Sequence, residues 1–376
     1  MRRLVYLLLP LLFWSQAYAH KPSDSYLALH LQKTDGVERI EGQWDIALRD
    51  LDYAIGLDGD NDGSITWGEL RARLAEVAAF ALPHLNVRMG GVPCAAHPTD
   101  HLVDNHTDGA YTVLRFVMDC PKASKRLDIG YSLFFDLDPT HRGLMRLTYR
   151  GQTQTAIFSP DQGTQRFELG VISRWRSFID FSRSGVWHIW IGLDHILFLI
   201  SLLLPSVLRR ESGRWQAVLS FRTALWDVVK IVSAFTLAHS ITLSMASLEI
   251  VQLPSRWVES AIAASILLAA LNNITPVFEG RRWVVAFVFG LIHGFGFATV
   301  LIDLGLPSTA LLTALVGFNL GVEAGQLAIV SLFLPLAYRL RCSWYYQRLT
   351  LVLGSFVMIM LASIWLIERL FHLKLL

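Results

Sequence analysis

Trp187-His188-Ile-Trp-Ile-Gly192-Leu-Asp194-His195-Ile-Leu-Phe-Leu-Ile-Ser201-Leu-Leu-Leu204 decides the architecture of this chain. The stretch is apolar over roughly the length that crosses ~30 Å of hydrocarbon as a helix. It nevertheless carries two imidazoles and a carboxylate, and an ionisable group at a bilayer centre costs a few kcal/mol even on lenient insertion scales. Such groups belong in a spanning segment only where something holds them. The whole composition agrees with lipid as the solvent: of 376 residues, 53% are hydrophobic and 17% charged, with mean hydropathy +0.41. A net charge of +2, from 33 basic and 31 acidic residues, is too balanced for an electrostatic nucleic-acid binder. Disorder and collagen-like repetition are excluded by the apolar content and the absence of a short period.

Outward from that stretch, six apolar segments are expected near 186–207, 226–248, 257–278, 283–303, 309–337 and 349–370. Arginines occupy every second connection: Arg209, Arg210, Arg214 and Arg222, then Arg281 and Arg282, then Arg339, Arg341 and Arg348. By the positive-inside rule the first helix runs inward and the C-terminus ends outside. Residues 1–19 read as a secretory signal, with Arg2 and Arg3, an apolar run from Leu4 to Trp14, and the small-residue site Ala17-Tyr18-Ala19; His20 would begin the mature chain. The expected location is a bacterial inner membrane, multi-pass, with the N-terminal domain and the C-terminus periplasmic. Arg174, Arg176 and Arg183 stand on the outer side against the rule, which suggests an interfacial linker over 166–185 with an amphipathic helix from Trp175 to Phe181.

Residues 20–165 alternate with period two, as in Tyr26-Leu-Ala-Leu-His-Leu and Tyr111-Thr-Val-Leu-Arg-Phe-Val. That pattern predicts an exported, mainly-β, sandwich-like domain. Cys94 and Cys120 lie within it, where an oxidising compartment permits a disulfide, whereas Cys342 stands alone in a basic loop. The domain is interrupted by Asp58-Gly-Asp60-Asn-Asp62-Gly63-Ser64-Ile-Thr66-Trp-Gly-Glu69, which resembles an EF-hand loop position for position. Oxygen ligands at the first, third, fifth, seventh, ninth and twelfth places, and glycine for the sharp turn at the sixth, suit calcium. A single such site points to stiffening of the domain. His97, Asp100, His101, Asp104, His106 and Asp108 form a second polar run between the cysteines, read as a solvated loop in preference to a metal site.

Counting from the helix limits places Asp194, His195, His239, His293 and Glu323 near one depth, with His188 seven residues before His195 on the same helix face. Asn319, Glu323 and Gln326 share a face of the fifth helix as supporting polar groups. Imidazoles and carboxylates suit nickel, cobalt or zinc, and no thiol or thioether stands at that depth for a softer metal. The alternative is a set of hydrogen bonds that only specify helix packing. So many polar groups at one level weigh against it.

His188-x5-Asp194-His195, the run Ala238-His239-Ser240-x-Thr242-Leu243, and His293-Gly294 resemble the HupE/UreJ family of integral membrane proteins over roughly residues 170–376. The resemblance implies handling of nickel or cobalt, either as a permease or in supply to metalloenzymes, with His188, Asp194 and His195 the metal-handling set and His293 a contributor. An acidic residue expected soon after the His-Gly pair is absent from His293-Gly-Phe-Gly-Phe-Ala298, and Glu323 would take its place. The leading function is thus a membrane permease or accessory protein for a divalent transition metal. No phosphate-binding loop is present, so an energising or metalloenzyme-maturation partner, or an ion gradient, would supply the drive. The alternatives are an intramembrane zinc-dependent hydrolase and a membrane anchor for a calcium-stabilised binding domain.

Overall fold

The computed structural model describes residues 23–34, 37–106, 109–121, 123–170, 174–211, 214–275, 281–303, 306 and 308–371. The signal-like segment, His20 and Asp108 lie outside the described residues.

The N-terminal half is a two-sheet sandwich. In chain order its elements are β1 (Asp24–Thr34), β2 (Val37–Ala47), α1 (Leu48–Ile55), α2 (Trp67–Ala72), α3 (Leu74–Ala81), β3 (Leu85–Met89), β4 (Val92–Pro93), β5 (Ala95–His106), β6 (Gly109–Cys120), β7 (Arg126–Tyr131), β8 (Arg142–Tyr149), β9 (Gln152–Phe158) and β10 (Thr164–Glu168). One sheet has the order β5-β6-β2-β1-β8-β9 and the other β10-β7-β3-β4. All neighbours are antiparallel except β1 and β8, which pair in parallel because the chain between them travels through the second sheet before returning. Period-two alternation sends Trp44, Leu114, Phe116, Ile129 and Phe158 into the shared core. The polar run expected as a loop between the cysteines is the edge strand β5, bulged between Pro98 and Asp100. The sulfurs of Cys94 and Cys120 are bonded.

The C-terminal half is helical: α4 (Arg174–Ile191), α5 (Leu193–Leu203), a short hairpin of β11 (Leu208–Glu211) and β12 (Arg214–Ala217), α6 (Phe221–Ser247), α7 (Ser255–Ile274), α8 (Arg282–His293), α9 (Ala298–Asp303), α10 (Ser308–Leu340) and α11 (Leu351–Phe371). Among the described residues, four helical segments are long and apolar enough to cross a membrane: Phe221–Ser247, Ser255–Ile274, Ala310–Leu340 and Tyr345–Phe371. The pair Arg174–Ile191 and Leu193–Val207, bent by 71°, makes a fifth if it is one broken span. The expected count of six differs because two stretches are not continuous helices. The first breaks at Gly192 and the fourth, Arg282–Gly296, is short and ends in a 3₁₀ turn over Gly294–Gly296 before α9.

Backbone contact at glycine holds the bundle together. Gly317, Gly321 and Gly325 repeat every four residues along α10, and α4 lies against them. A β-carbon at Gly317 would stand 2.7 Å from the Phe178 carbonyl oxygen, and one at Gly321 would overlap the Ser182 carbonyl. Small residues at this spacing let two helices approach closely where lipid gives no hydrophobic drive for association.

The sandwich sits on one end of the bundle. Tyr26, Tyr111 and Leu144 from the large sheet pack in one cluster with Phe181, Leu243, Ala246, Leu301, Leu311 and Leu315 from the helices. The stretch expected as a linker, 166–185, comprises the end of β10 and the first turns of α4, which include the helix expected from Trp175 to Phe181. Arg176, which resisted the charge rule, donates to Gln165 Oε1 at 3.0 Å and stacks on Phe167, so its charge belongs to the contact between domains.

Candidate metal centre

Both discontinuous helices break at histidine. Gly192 caps α5 in an extended conformation (ψ 99°), and a side chain there would meet the His188 carbonyl at 2.8 Å and His195 Nδ1 at 2.9 Å. The Asp194 carboxylate accepts the His195 backbone N–H at 2.8 Å, satisfying one of the donors freed at the new helix start. His293 is the last residue of α8, directly before the 3₁₀ turn. Irregular backbone at such depth is tolerated where it is enclosed by protein or lines a site.

The breaks bring four rings together. His188 and His195 lie either side of Gly192 with ring centroids 4.6 Å apart, and His195 and His293 are 5.4 Å apart. The continuous helix face expected from the seven-residue spacing is absent; the bend itself folds the two imidazoles onto each other. His239, from α6, stacks near Phe235, which also touches His293. His195, His239 and His293 are buried at 6%, 0% and 1% exposure. Phe297 and Phe318 stack at 4.0 Å and both contact the His188 ring.

Three of the four rings have a defined hydrogen-bond partner on one side. His195 Nδ1 lies 2.9 Å from Asp194 Oδ1, His239 Nδ1 lies 3.2 Å from Asn319 Oδ1, and His293 Nε2 lies 3.0 Å from Ser265 Oγ of α7. On the other side, His188 Nε2, His195 Nε2, His239 Nε2 and His293 Nδ1 are buried without a hydrogen-bond partner. Buried polar atoms are nearly always paired, so four orphaned nitrogens in one cluster require an explanation, and an absent ion is one. Ser265 is the member of this set that sequence reasoning missed. A serine in an apolar helix carries no charge signal, and only its proximity to His293 marks it.

Glu323 is placed differently. Its carboxylate accepts from Ser233 Oγ at 2.8 Å, and Gln326 Oε1 accepts from Thr236 Oγ1 at 3.1 Å, so these two build a polar ladder between α10 and α6 beside the imidazoles. Of the three residues on that face, Asn319 alone reaches a ring.

A family model described as HupE / UreJ protein matches residues 164–369, more than half of the chain. The chain belongs to the HupE/UreJ family. No curated protein matches it. His188, Asp194, His195, His239, His293 and Glu323 of this HupE/UreJ protein all fall inside the matched span, whereas the acidic loop and the disulfide precede it.

That loop runs between α1 and α2 of the sandwich. Among the described residues, Asp58, Asp60 and Glu69 form the one set that brings three ligand atoms within 4.8 Å of one another; the membrane set does not converge that far. Gly63 makes the turn at φ +85°, and its N–H donates to Asp58 Oδ2 at 2.8 Å. Asp62 Oδ1 accepts from Ser64 N–H, and Thr66 and Glu69 form a reciprocal capping box at the start of α2. Hydrogen bonds from Thr66 hold the Glu69 carboxyl below its usual range. Asp58 Oδ1 is buried without a partner. Along β5, His97, Asp100, His101 and Asp104 are spread at strand spacing. His106 folds back to Asp45 at 3.2 Å between the rings of Tyr26 and Tyr111.

Proposed function

We propose that this protein is a membrane permease or accessory protein that passes a divalent transition metal, nickel or cobalt before zinc, through the set His188, Asp194, His195, His239 and His293. The observation that carries the reading is the gathering of four imidazoles, three of them buried and each with one ring nitrogen left without a partner, around the breaks of two apolar helices. Neutral imidazole and carboxylate are the donors such a cation takes in exchange for water. The family's association with nickel and cobalt transport or accessory roles points the same way. The ligand nitrogens of a bound state would have to draw closer than they stand here, and the two broken helices supply the hinges. Glu323 and Gln326, hydrogen-bonded across to α6, continue the polar surface from the rings.

In this reading the chain crosses the bacterial inner membrane six times, with α8 and α9 together making the fourth crossing, and carries the sandwich and the C-terminus on the periplasmic side. Support comes from the glycine contacts, which run in the same order along α4 and α10 and along α6 and α8. Arg282 and Arg341 also meet the 205–219 segment, gathering the arginine-rich connections at one end. The acidic loop would hold calcium through Asp58, Asp60, Asp62, the Ser64 carbonyl, Thr66 and Glu69, and the orphaned Asp58 oxygen fits that role. Calcium there stiffens the sandwich.

The test is accumulation of radioactive nickel and cobalt by intact cells expressing the full chain or His195→Ala. Accumulation that depends on the wild-type chain and disappears in the variant is expected. Equal accumulation by the two would remove the reading.

A further inference from the structure

Four rings at a would-be metal site are useful only if the nitrogen facing the cation carries a lone pair and not a proton. The hydrogen bonds around the cluster determine which nitrogen that is, ring by ring.

Ser265 has one hydroxyl proton. Its Oγ lies 2.7 Å from the Ile262 carbonyl oxygen, which can only accept, so the proton is on that line. Toward His293 Nε2 the same oxygen can then only accept, and Nε2 must carry the ring proton. His293 Nδ1 is left bare, and it is the buried atom without a partner. The same reasoning runs through Asn319. Its Nδ2 donates to the Leu315 carbonyl at 2.8 Å, which orients the amide and turns Oδ1 toward His239. An amide oxygen accepts, so His239 Nδ1 is protonated and Nε2 is bare. At His195 the acceptor is the Asp194 carboxylate on Nδ1, and again Nε2 is bare. Three rings on three different elements are thus held in three chosen tautomers, by partners from α7, α10 and the α4–α5 break. In each case the nitrogen left over is the one without a partner. Packing alone gives no reason to leave the remaining nitrogen of all three rings unpaired, since a buried unpaired acceptor is costly.

We propose that Ser265 and Asn319 are positioning residues that fix His293 as the Nε2–H tautomer and His239 as the Nδ1–H tautomer, alongside Asp194 at His195, so that each ring presents a lone pair to the cargo cation. This rests on the metal-handling reading above and deepens it. Partners of this kind set ring orientation and tautomer at metal-binding histidines, and their loss costs about 10–100-fold in affinity.

Two measurements on the full chain test it. The first needs no metal: ¹⁵N NMR of histidine-labelled, metal-free protein in bilayers, with resonances assigned through single histidine substitutions. It should place the ring proton of His293 on Nε2 and those of His239 and His195 on Nδ1. A proton on Nδ1 of His293, or on Nε2 of His239, overturns the proposal even where Ser265 or Asn319 variants fail to fold. The second is Co²⁺ titration of detergent-purified protein, read by ligand-field absorption. Ser265→Ala and Asn319→Leu should each weaken Co²⁺ binding by about 10–100-fold. Ser265→Thr and Asn319→Asp, which keep the accepting oxygen, should restore it. If Ser265→Ala and Asn319→Leu bind like wild type while His195→Ala does not, the positioning roles are wrong and the metal-handling reading stands. If wild type itself takes up no Co²⁺, that reading fails, and the tautomers are judged by the NMR alone.

Discussion

The sandwich and the bundle each bury a histidine at 0% exposure, and the two are satisfied in opposite ways. In the sandwich, His141 uses both ring nitrogens: Nδ1 meets Ser23 Oγ at 2.5 Å and Nε2 meets the Tyr131 hydroxyl at 2.7 Å. The chain of bonds continues from Ser23 to Asp50 and from Tyr131 through Ser25 to Trp44, so neither ring nitrogen is left over. In the bundle, His239 uses Nδ1 only and leaves Nε2 without a partner. A closed network rigidifies a core, whereas a half-closed one is tolerated where a ligand completes it. Between these two fully buried rings, the nitrogen left over, and not burial as such, separates the structural histidine from the ligand candidate.

The largest effect that would break this contrast is on binding. His293→Leu and His239→Leu should each lower Co²⁺ affinity at least about 1,000-fold, equivalent to ~4 kcal/mol, while the yield of monodisperse protein after detergent gel filtration stays at the wild-type level. Collapse of the folded yield would make those rings structural as well. Next, His141→Leu removes two buried bonds at once, leaving Ser23 with Asp50 and Tyr131 with Ser25. It should destabilise the sandwich by about 2–4 kcal/mol in urea titrations and leave Co²⁺ binding unchanged.

A smaller effect follows from acidity. Burial, with a secondary push from Arg142, lowers His141 to about 3 from an ordinary 6.5. The unfolded chain therefore takes up a proton near pH 6.5 that the folded sandwich refuses. Stability is complete above that pH and falls by about 1.4 kcal/mol per unit as the pH drops toward 3. Burial also raises the Asp50 carboxyl, which works in the opposite sense near the carboxylate range, so the comparison belongs between pH 7 and 5.5. Urea midpoints that fail to drop there, or that drop equally in His141→Leu, would contradict the assignment. The smallest expected effect is calcium: at millimolar concentration and the affinity usual for extracellular modules, binding adds about 1 kcal/mol. Chelation should lower the melting temperature of wild type but not of Asp58→Asn/Glu69→Gln.

Some of this organisation was legible along the chain because its causes are local. Period-two alternation needs only neighbouring residues, and so does the twelve-residue acidic loop, whose carboxylates lie within one short turn of chain. Apolar length gave the spans wherever the helix is continuous, as in α6, α7 and α10. It missed the breaks at Gly192 and Gly294, because a hydropathy window registers lipid solubility and not a backbone that stops being helical. The parallel pairing of β1 with β8 was likewise out of reach, since it depends on a strand more than a hundred residues away.

What the sequence by itself determined is which polar groups stand inside the apolar segments and how far along each they fall, because that is position along a helix of fixed rise. Which of them meet was decided only by the tertiary structure. Depth leaves the direction around each helix axis open, and that direction is set by the bend at Gly192 and by the glycine contacts between α4 and α10 and between α6 and α8. Those contacts turn His188, His195, His239 and His293 toward one another, carry Glu323 to Ser233, and bring Ser265, an unremarked serine in sequence, to the nitrogen that holds His293's proton.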